Sequence, residues 1–233
     1  IHAGNQQGLT QEEIDQQLAD RFMDPEQADM KTLPRAVGAE LGLRLNLGNR
    51  VLLSVAGWYL NLEEELVYVG DAGTTEISGE SRRIGADVEI RAQLADWIWG
   101  DVDVNFADGR YPGEPEGANY IPLAPRLTAQ GGVNFQHPSG FDGALRFRYL
   151  ADRPANEDNS VVATGHTLLN AVLGYRLKKF RIFAQVENIL NMEWNEAQFD
   201  TESRLFDETE PVSELHYTPG NPFNVQVGIS YEF

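Results

Sequence analysis

From residue 36 to the C-terminus the chain is a succession of nine segments in which apolar and polar side chains alternate, and the stretches between them alternate too, short then long. The segments are 36–47, 51–68, 82–95, 97–108, 122–136, 141–151, 166–176, 180–190 and 222–233. Gly48-Asn49-Arg50, Ala95-Asp96, His137-Pro138-Ser139-Gly140 and Leu177-Lys178-Lys179 are tight connections; 69–81, 109–121, 152–165 and 191–221 are long. Alternation with a period of two marks a strand with one oily and one wet face. Turns that are tight at every second reversal put all the short connections on one rim and all the long ones on the other. An up-and-down membrane barrel has this organisation, whereas Greek-key crossovers in a sandwich would mix the lengths.

The faces are cleanly divided. In 36–47, Leu41, Leu43, Leu45 and Leu47 oppose Glu40, Arg44 and Asn46; in 82–95, Ile84, Val88, Ile90 and Leu94 oppose Arg83, Asp87, Glu89 and Arg91. Val102, Val104 and Phe106 stand against Asp101 and Asp103, and Leu145, Phe147 and Tyr149 against Arg146 and Arg148. The last strand presents Val225, Val227, Ile229, Tyr231 and Phe233 to one side and Asn224, Gln226, Ser230 and Glu232 to the other. A charge facing lipid near the midplane costs about 2–4 kcal/mol, so a charge-free face is what a bilayer would select. Aromatics near strand ends, including Trp58, Trp97, Trp99, Tyr175, Phe180 and Trp194, suit interfacial girdles. The expected fold class is therefore all-β, a transmembrane antiparallel up-and-down β-barrel.

Composition narrows the alternatives. No apolar run approaches the roughly 20 residues of a membrane-spanning helix. Thirty-six acids against 18 Lys and Arg, a formal charge of -18, disfavour nucleic acid as a partner, because phosphate binding needs clustered bases. Without cysteine there are no disulfides or thiolate metal sites, which is compatible with an oxidising compartment. The start at Ile1, with neither Met nor a basic-then-apolar leader, reads as a mature or truncated product.

Residues 1–35 differ from the rest. Thr10 with Glu13 resembles a capping box, and Leu9, Ile14, Leu18 and Phe22 form a short apolar stripe, so a surface helix is expected over 10–23, ended by Pro25, within a large acidic extracellular loop.

Val186-Glu187-Asn188-Ile189-Leu190-Asn191-Met192-Glu193-Trp194 resembles the penultimate-strand signature of TonB-dependent outer-membrane receptors, a Val-x-Asn-Leu-Phe-Asp-x-x-Tyr pattern. The terminal strand, the Val69–Glu76 and Ser81–Gly85 stretches and Pro125-Arg126 are similar to that family as well, so the resemblance spans 36–233. It implies a Gram-negative outer-membrane location with the C-terminus periplasmic, and Tyr231 and Phe233 as the signal read by the barrel-assembly machinery. It also implies a barrel of about 22 strands around an N-terminal plug, of which this chain would supply the last nine or so strands and no plug. An odd number of strands is likewise incompatible with both termini on one side.

No enzyme constellation is present: the four histidines, His2, His137, His166 and His216, are scattered, and neither a phosphate cradle nor a nucleophile elbow occurs. No catalytic, metal or cofactor site is expected. Asp101, Asp103, Arg126, Arg146, Arg148, Arg181 and Glu187 would line the lumen or hold the plug. For a ligand captured at the surface, His2, Tyr120, Trp194, His216 and Tyr217 combine flat apolar faces with polar handles. The loop 192–220 carries eight acids against Arg204 alone; cation bridging to lipopolysaccharide, capture of a cationic or metal-bearing ligand, and plain solubility are all open to it. The resemblance implies active uptake of a scarce nutrient, a siderophore or other metal complex, driven through the plug by the TonB complex; the alternative is a passive porin-like or adhesin-like barrel.

Overall fold

The computed structural model describes residues 34–69, 74–204, 206 and 209–233; the helix expected over 10–23, and His2, lie outside the described residues. Fifteen strands follow one another: β1 Ala36–Leu47, β2 Val51–Leu62, β3 Glu65–Val69, β4 Thr74–Ser78, β5 Ser81–Ala95, β6 Ile98–Arg110, β7 Leu127–Gln136, β8 Phe141–Leu150, β9 Arg153–Pro154, β10 Val162–Ala163, β11 His166–Leu177, β12 Phe180–Glu187, β13 Asn195–Ser203, β14 Val212–Pro219 and β15 Asn224–Tyr231. Nine of them make one antiparallel sheet in the order β1-β2-β5-β6-β7-β8-β11-β12-β15, an up-and-down meander. The remaining six form three two-stranded hairpins, β3–β4, β9–β10 and β13–β14, each inside a long connection.

The segment 51–68 is thus not one strand. The chain leaves the sheet at Glu63-Glu64, and Glu65–Val69 turns to pair with Thr74–Ser78. Similarly, 122–126 lie outside β7, and three of the four long connections are built around hairpins, whereas 111–126, between β6 and β7, carries only the bridge of Arg110 to Tyr120.

Register carries the sequence alternation across the whole sheet. Leu45, Leu53, Ile90, Val102, Gly131, Phe147 and Leu169 are partners in succession on seven strands, an unbroken uncharged row. The adjacent row, Asn46, Leu52, Arg91, Asp101, Gly132, Arg146 and Asn170, is polar apart from Leu52 and Gly132. A one-residue slip would exchange the two faces, so the apolar pattern itself holds the register.

Few apolar side chains are buried. Among the described residues these are Tyr111, Ile121, Ala155, Ala163 and Leu168, at or beyond the end of the sheet that carries the long connections. Leu41, Leu94, Leu173, Ile182, Val227 and Ile229 stand exposed on the apolar face. An apolar surface of this extent needs an apolar environment. β1 and β15 end the sheet, and each leaves a row of backbone donors and acceptors to be paired by further strands if lipid surrounds it.

Candidate ligand cleft and polar wall

The polar face is organised by ion pairs that span more than one strand. Asp101, Gly132 and Arg146 stand directly opposite one another on β6, β7 and β8. The Arg146 guanidinium passes over the glycine to grip Asp101 with two nitrogens, the Nη2–Oδ2 contact being 2.8 Å. β11 repeats the device: Gly174 faces Asp142, and Arg181 from β12 binds that carboxylate at 2.5 and 3.1 Å. A Cβ on Gly174 would lie 2.8 Å from both the guanidinium and the carboxylate. A side chain at this position would displace the ion pair from where it crosses. Arg91 binds Asp103 at 2.8 Å and Glu89 at 3.0 Å, so these two acids act as ion-pair partners. Trp58 also belongs to this face: its indole covers Gly85 and donates to Asp87 at 3.0 Å, which removes it from the apolar girdle.

At the long-connection end the wall becomes a cleft. Where β12 ends, Asn188 is 3 % exposed at φ +50°. Its side-chain nitrogen donates to the carbonyls of Met192 and Asn221, and its Oδ1 accepts from the Met192 amide. This ties together both legs of the connection carrying β13 and β14. Trp194 adds a donation from Nε1 to the Asn221 carbonyl at 3.0 Å, its ring pressed on Gly220. Higher up, Gln198, 2 % exposed, accepts from the Thr164 amide at 2.9 Å and donates to the Thr164 carbonyl at 2.8 Å, substituting for a backbone pairing. These two knots, with Asn156 Nδ2 donating to Asp200 Oδ2 at 3.2 Å, seat the β13–β14 hairpin at the end of β12 and against the connection between β8 and β11.

The cleft they leave is 370 Å³, lined by Asn105, Gln130, Arg148, His166, Trp194 and Glu196 among others. The Arg148 guanidinium lies 5.2 Å from the Trp194 ring centre, and the His166 ring centre 4.8 Å from it. His166 is 7 % exposed, with neither ring nitrogen hydrogen-bonded. Nearby Arg153 on β9 is buried with its Nη1 unpartnered, and burial pushes its guanidinium below the ordinary arginine range. Two larger concavities, 570 and 920 Å³, lie at the tight-turn end; their Arg91, Arg176 and Arg181 are already bound to carboxylates.

Of the surface-capture residues read from the sequence, Trp194 lines the cleft. Tyr120 lies under Arg110, 4.2 Å from ring centre to guanidinium. His216 and Tyr217 sit on β14, His216 Nε2 being 3.1 Å from Ser203 Oγ and Tyr217 exposed. Among the wall residues, Glu187 accepts from Gln185 at 2.8 Å. Arg126 instead binds Asp108 at 3.0 Å and approaches Phe106, on the apolar side of β6. Tyr231 packs between Phe180 and Phe233 at 4.8 and 5.2 Å. His166, Arg153 and Gln198 were not singled out from the sequence for ligand capture. His166 and Arg153 border a long connection, but nothing local says that they are buried.

Residues 27–189 match a family described as TonB dependent receptor-like, beta-barrel. The chain belongs to this family. Its members are receptors and transporters of the Gram-negative outer membrane rather than enzymes. Similar solved structures are the ferric yersiniabactin uptake receptor of Yersinia pestis (19 % identity, TM-score 0.63, 84 % of this chain and 29 % of that one) and the ferric-catecholate import receptor Fiu of E. coli K12 (17 %, 0.65, 86 % and 28 %). A third is the copper transporter OprC (15 %, 0.65, 86 % and 32 %). At these identities the likeness is one of fold, and the chain spans about three tenths of the length of each.

Proposed function

We propose that this chain is the C-terminal wall of a TonB-dependent outer-membrane receptor that imports a scarce nutrient as a metal complex, a siderophore most naturally. The observation that carries the reading is the register-continuous pair of faces, one uncharged and exposed, the other dressed with ion pairs. The first face suits hydrocarbon and the second a filled, wet interior. In this reading 36–233 is the barrel portion, and further strands close it by pairing with β1 and β15. A plug from elsewhere in the protein packs on the Asp101–Arg146 and Asp142–Arg181 pairs, and TonB acts on that plug. The tight turns and the C-terminus lie in the periplasm, while the long connections, 1–35 included, lie outside with lipopolysaccharide around them. Tyr231 and Phe233 serve the assembly machinery.

The similar structures named for ferric complexes and for copper support a metal-bearing cargo. The test is uptake of radiolabelled iron and copper complexes by cells carrying or lacking the gene, in backgrounds with and without TonB. Gene- and TonB-dependent accumulation is the expected result. Entry that persists without TonB would replace the reading with a passive pore.

A further inference from the structure

On the long-connection side the apolar face ends in a cluster of guanidinium groups. The β5 side chains that share the face of Ile90 are uncharged from Leu94 to Ile84, and the next one beyond is Arg82. The span from Leu94 to Ile84 is roughly 33 Å along a strand. At the tilt of a membrane barrel this is about 25 Å along the axis, the height of such a barrel's apolar band. Arg82 therefore stands at the border of that band. Register puts it opposite Arg110 on β6, as Ile84 is opposite Asp108 and Ala86 opposite Phe106. Phe106, and Tyr59 opposite Ile84 on β2, are aromatic at this level, which suits the boundary between hydrocarbon and headgroups.

Three arginines gather here around one carboxylate. Arg110 Nη2 lies 3.1 Å from Asp108 Oδ1, and its guanidinium covers the Tyr120 ring. Arg126, just before β7, reaches the same Asp108 oxygen through Nε at 3.0 Å, with 52 % of its side chain exposed. Arg82 is exposed and meets no carboxylate among the described residues. Glu80, two residues from it, accepts instead from Asn61 at 3.0 Å. In a chain with twice as many acids as bases, this is a local excess of positive charge, and it faces away from the polar wall.

Resting on the transport reading above, which puts the long connections outside the cell, we infer that Arg82, Arg110 and Arg126 form a site on the outer wall of the barrel for the phosphorylated sugar headgroup of lipopolysaccharide. Guanidinium takes phosphate oxygens bidentately, and the acyl chains of the same molecule lie along the uncharged rows below. Asp108 is a positioning residue: it holds Arg110 and Arg126 side by side. The acidic connections above could hold this lipid only through divalent cations, whereas the arginine cluster needs none.

The test uses the full-length protein, delipidated in detergent with EDTA present and titrated by native mass spectrometry. The probes are diphosphoryl lipid A, its dephosphorylated form and phosphatidylglycerol. Arg82→Gln with Arg126→Gln is expected to weaken diphosphoryl lipid A by roughly tenfold or more, the worth of one charge-assisted hydrogen bond. Lysine at both positions should restore part of the loss. Arg50→Gln with Arg176→Gln, the same change of charge at the tight-turn rim, should leave binding unaltered. Arg82→Glu alone, at a side chain without protein partners, should also weaken the probe, which separates lost binding from lost folding. Unchanged affinity in the double variant overturns the site. So does equal binding of the dephosphorylated form or of phosphatidylglycerol, an equal loss in the tight-turn pair, or binding that requires magnesium, which would assign the lipid to the acidic connections. Lipid A retention that follows these arginines in a protein without TonB-dependent uptake defeats the transport reading and leaves the site standing; TonB-dependent uptake by a protein whose lipid A affinity ignores them does the reverse.

Discussion

The guanidinium of Arg146 on β8 reaches the carboxylate of Asp101 on β6 across the whole width of β7, because the residue between them is Gly132. A Cβ there would run into the β8 backbone, 2.0 Å from the Leu145 carbonyl oxygen and 3.0 Å from the Arg146 Cα. Gly132→Ala is expected to destabilise the folded barrel by about 1–3 kcal/mol, the cost of overpacking. Gly42→Ala, whose added Cβ would meet nothing nearer than 3.7 Å, should be close to neutral. The denaturant midpoint of each variant in detergent checks the pair; equal midpoints would remove the steric role.

Arg181 and Asp142 meet over Gly174 in the same way. Both side chains keep about a quarter of their exposure, so solvent screens the pair and its coupling should be only about 1 kcal/mol. A double-mutant cycle with Arg181→Gln and Asp142→Asn measures it.

Ile90 lies in the seven-strand apolar row, and Gln130 faces the polar wall. Ile90→Arg should cost about 2–4 kcal/mol in a bilayer, whereas Gln130→Arg should be tolerated. Folded yield in lipid vesicles, followed by heat-dependent gel mobility, compares the two. Indifference to Ile90→Arg would argue that this face does not meet lipid.

Gln198 ties the middle of the β13–β14 hairpin to Thr164 by two hydrogen bonds, and Asn156 Nδ2 donates to Asp200 Oδ2 at 3.2 Å beside them. Gln198→Ala removes two hydrogen bonds to Thr164, an exposed residue whose backbone water can reach, at about 0.5–1.5 kcal/mol each, a cost local to the contact of hairpin and connection. Faster hydrogen exchange over 195–203 with an unchanged global midpoint is expected. Exchange that stays slow would mean that the Asn188 knot and the Asn156–Asp200 hydrogen bond seat the hairpin without Gln198.

What the chain says by itself is the periodic part: nine sheet strands, the antiparallel order, the apolar and polar faces, and the rhythm of short and long connections all follow from side-chain alternation, a local property repeated along the backbone. Family membership was legible for a similar reason, since Val186–Trp194 and the last strand are contiguous motifs. The three hairpins were not, because strands such as Thr201-Glu202-Ser203 are mostly polar and pair through backbone rather than a patterned face. Only the tertiary structure decided which charges meet. Asp101 and Arg146 are 45 residues apart and Gln198 and Thr164 are 34 apart; each pairing depends on strand register summed over several turns. Burial of His166 and Arg153 depends likewise on where a hairpin from another part of the chain comes to rest. Alternation is written residue by residue, whereas the cleft exists only after the sheet has brought distant residues side by side.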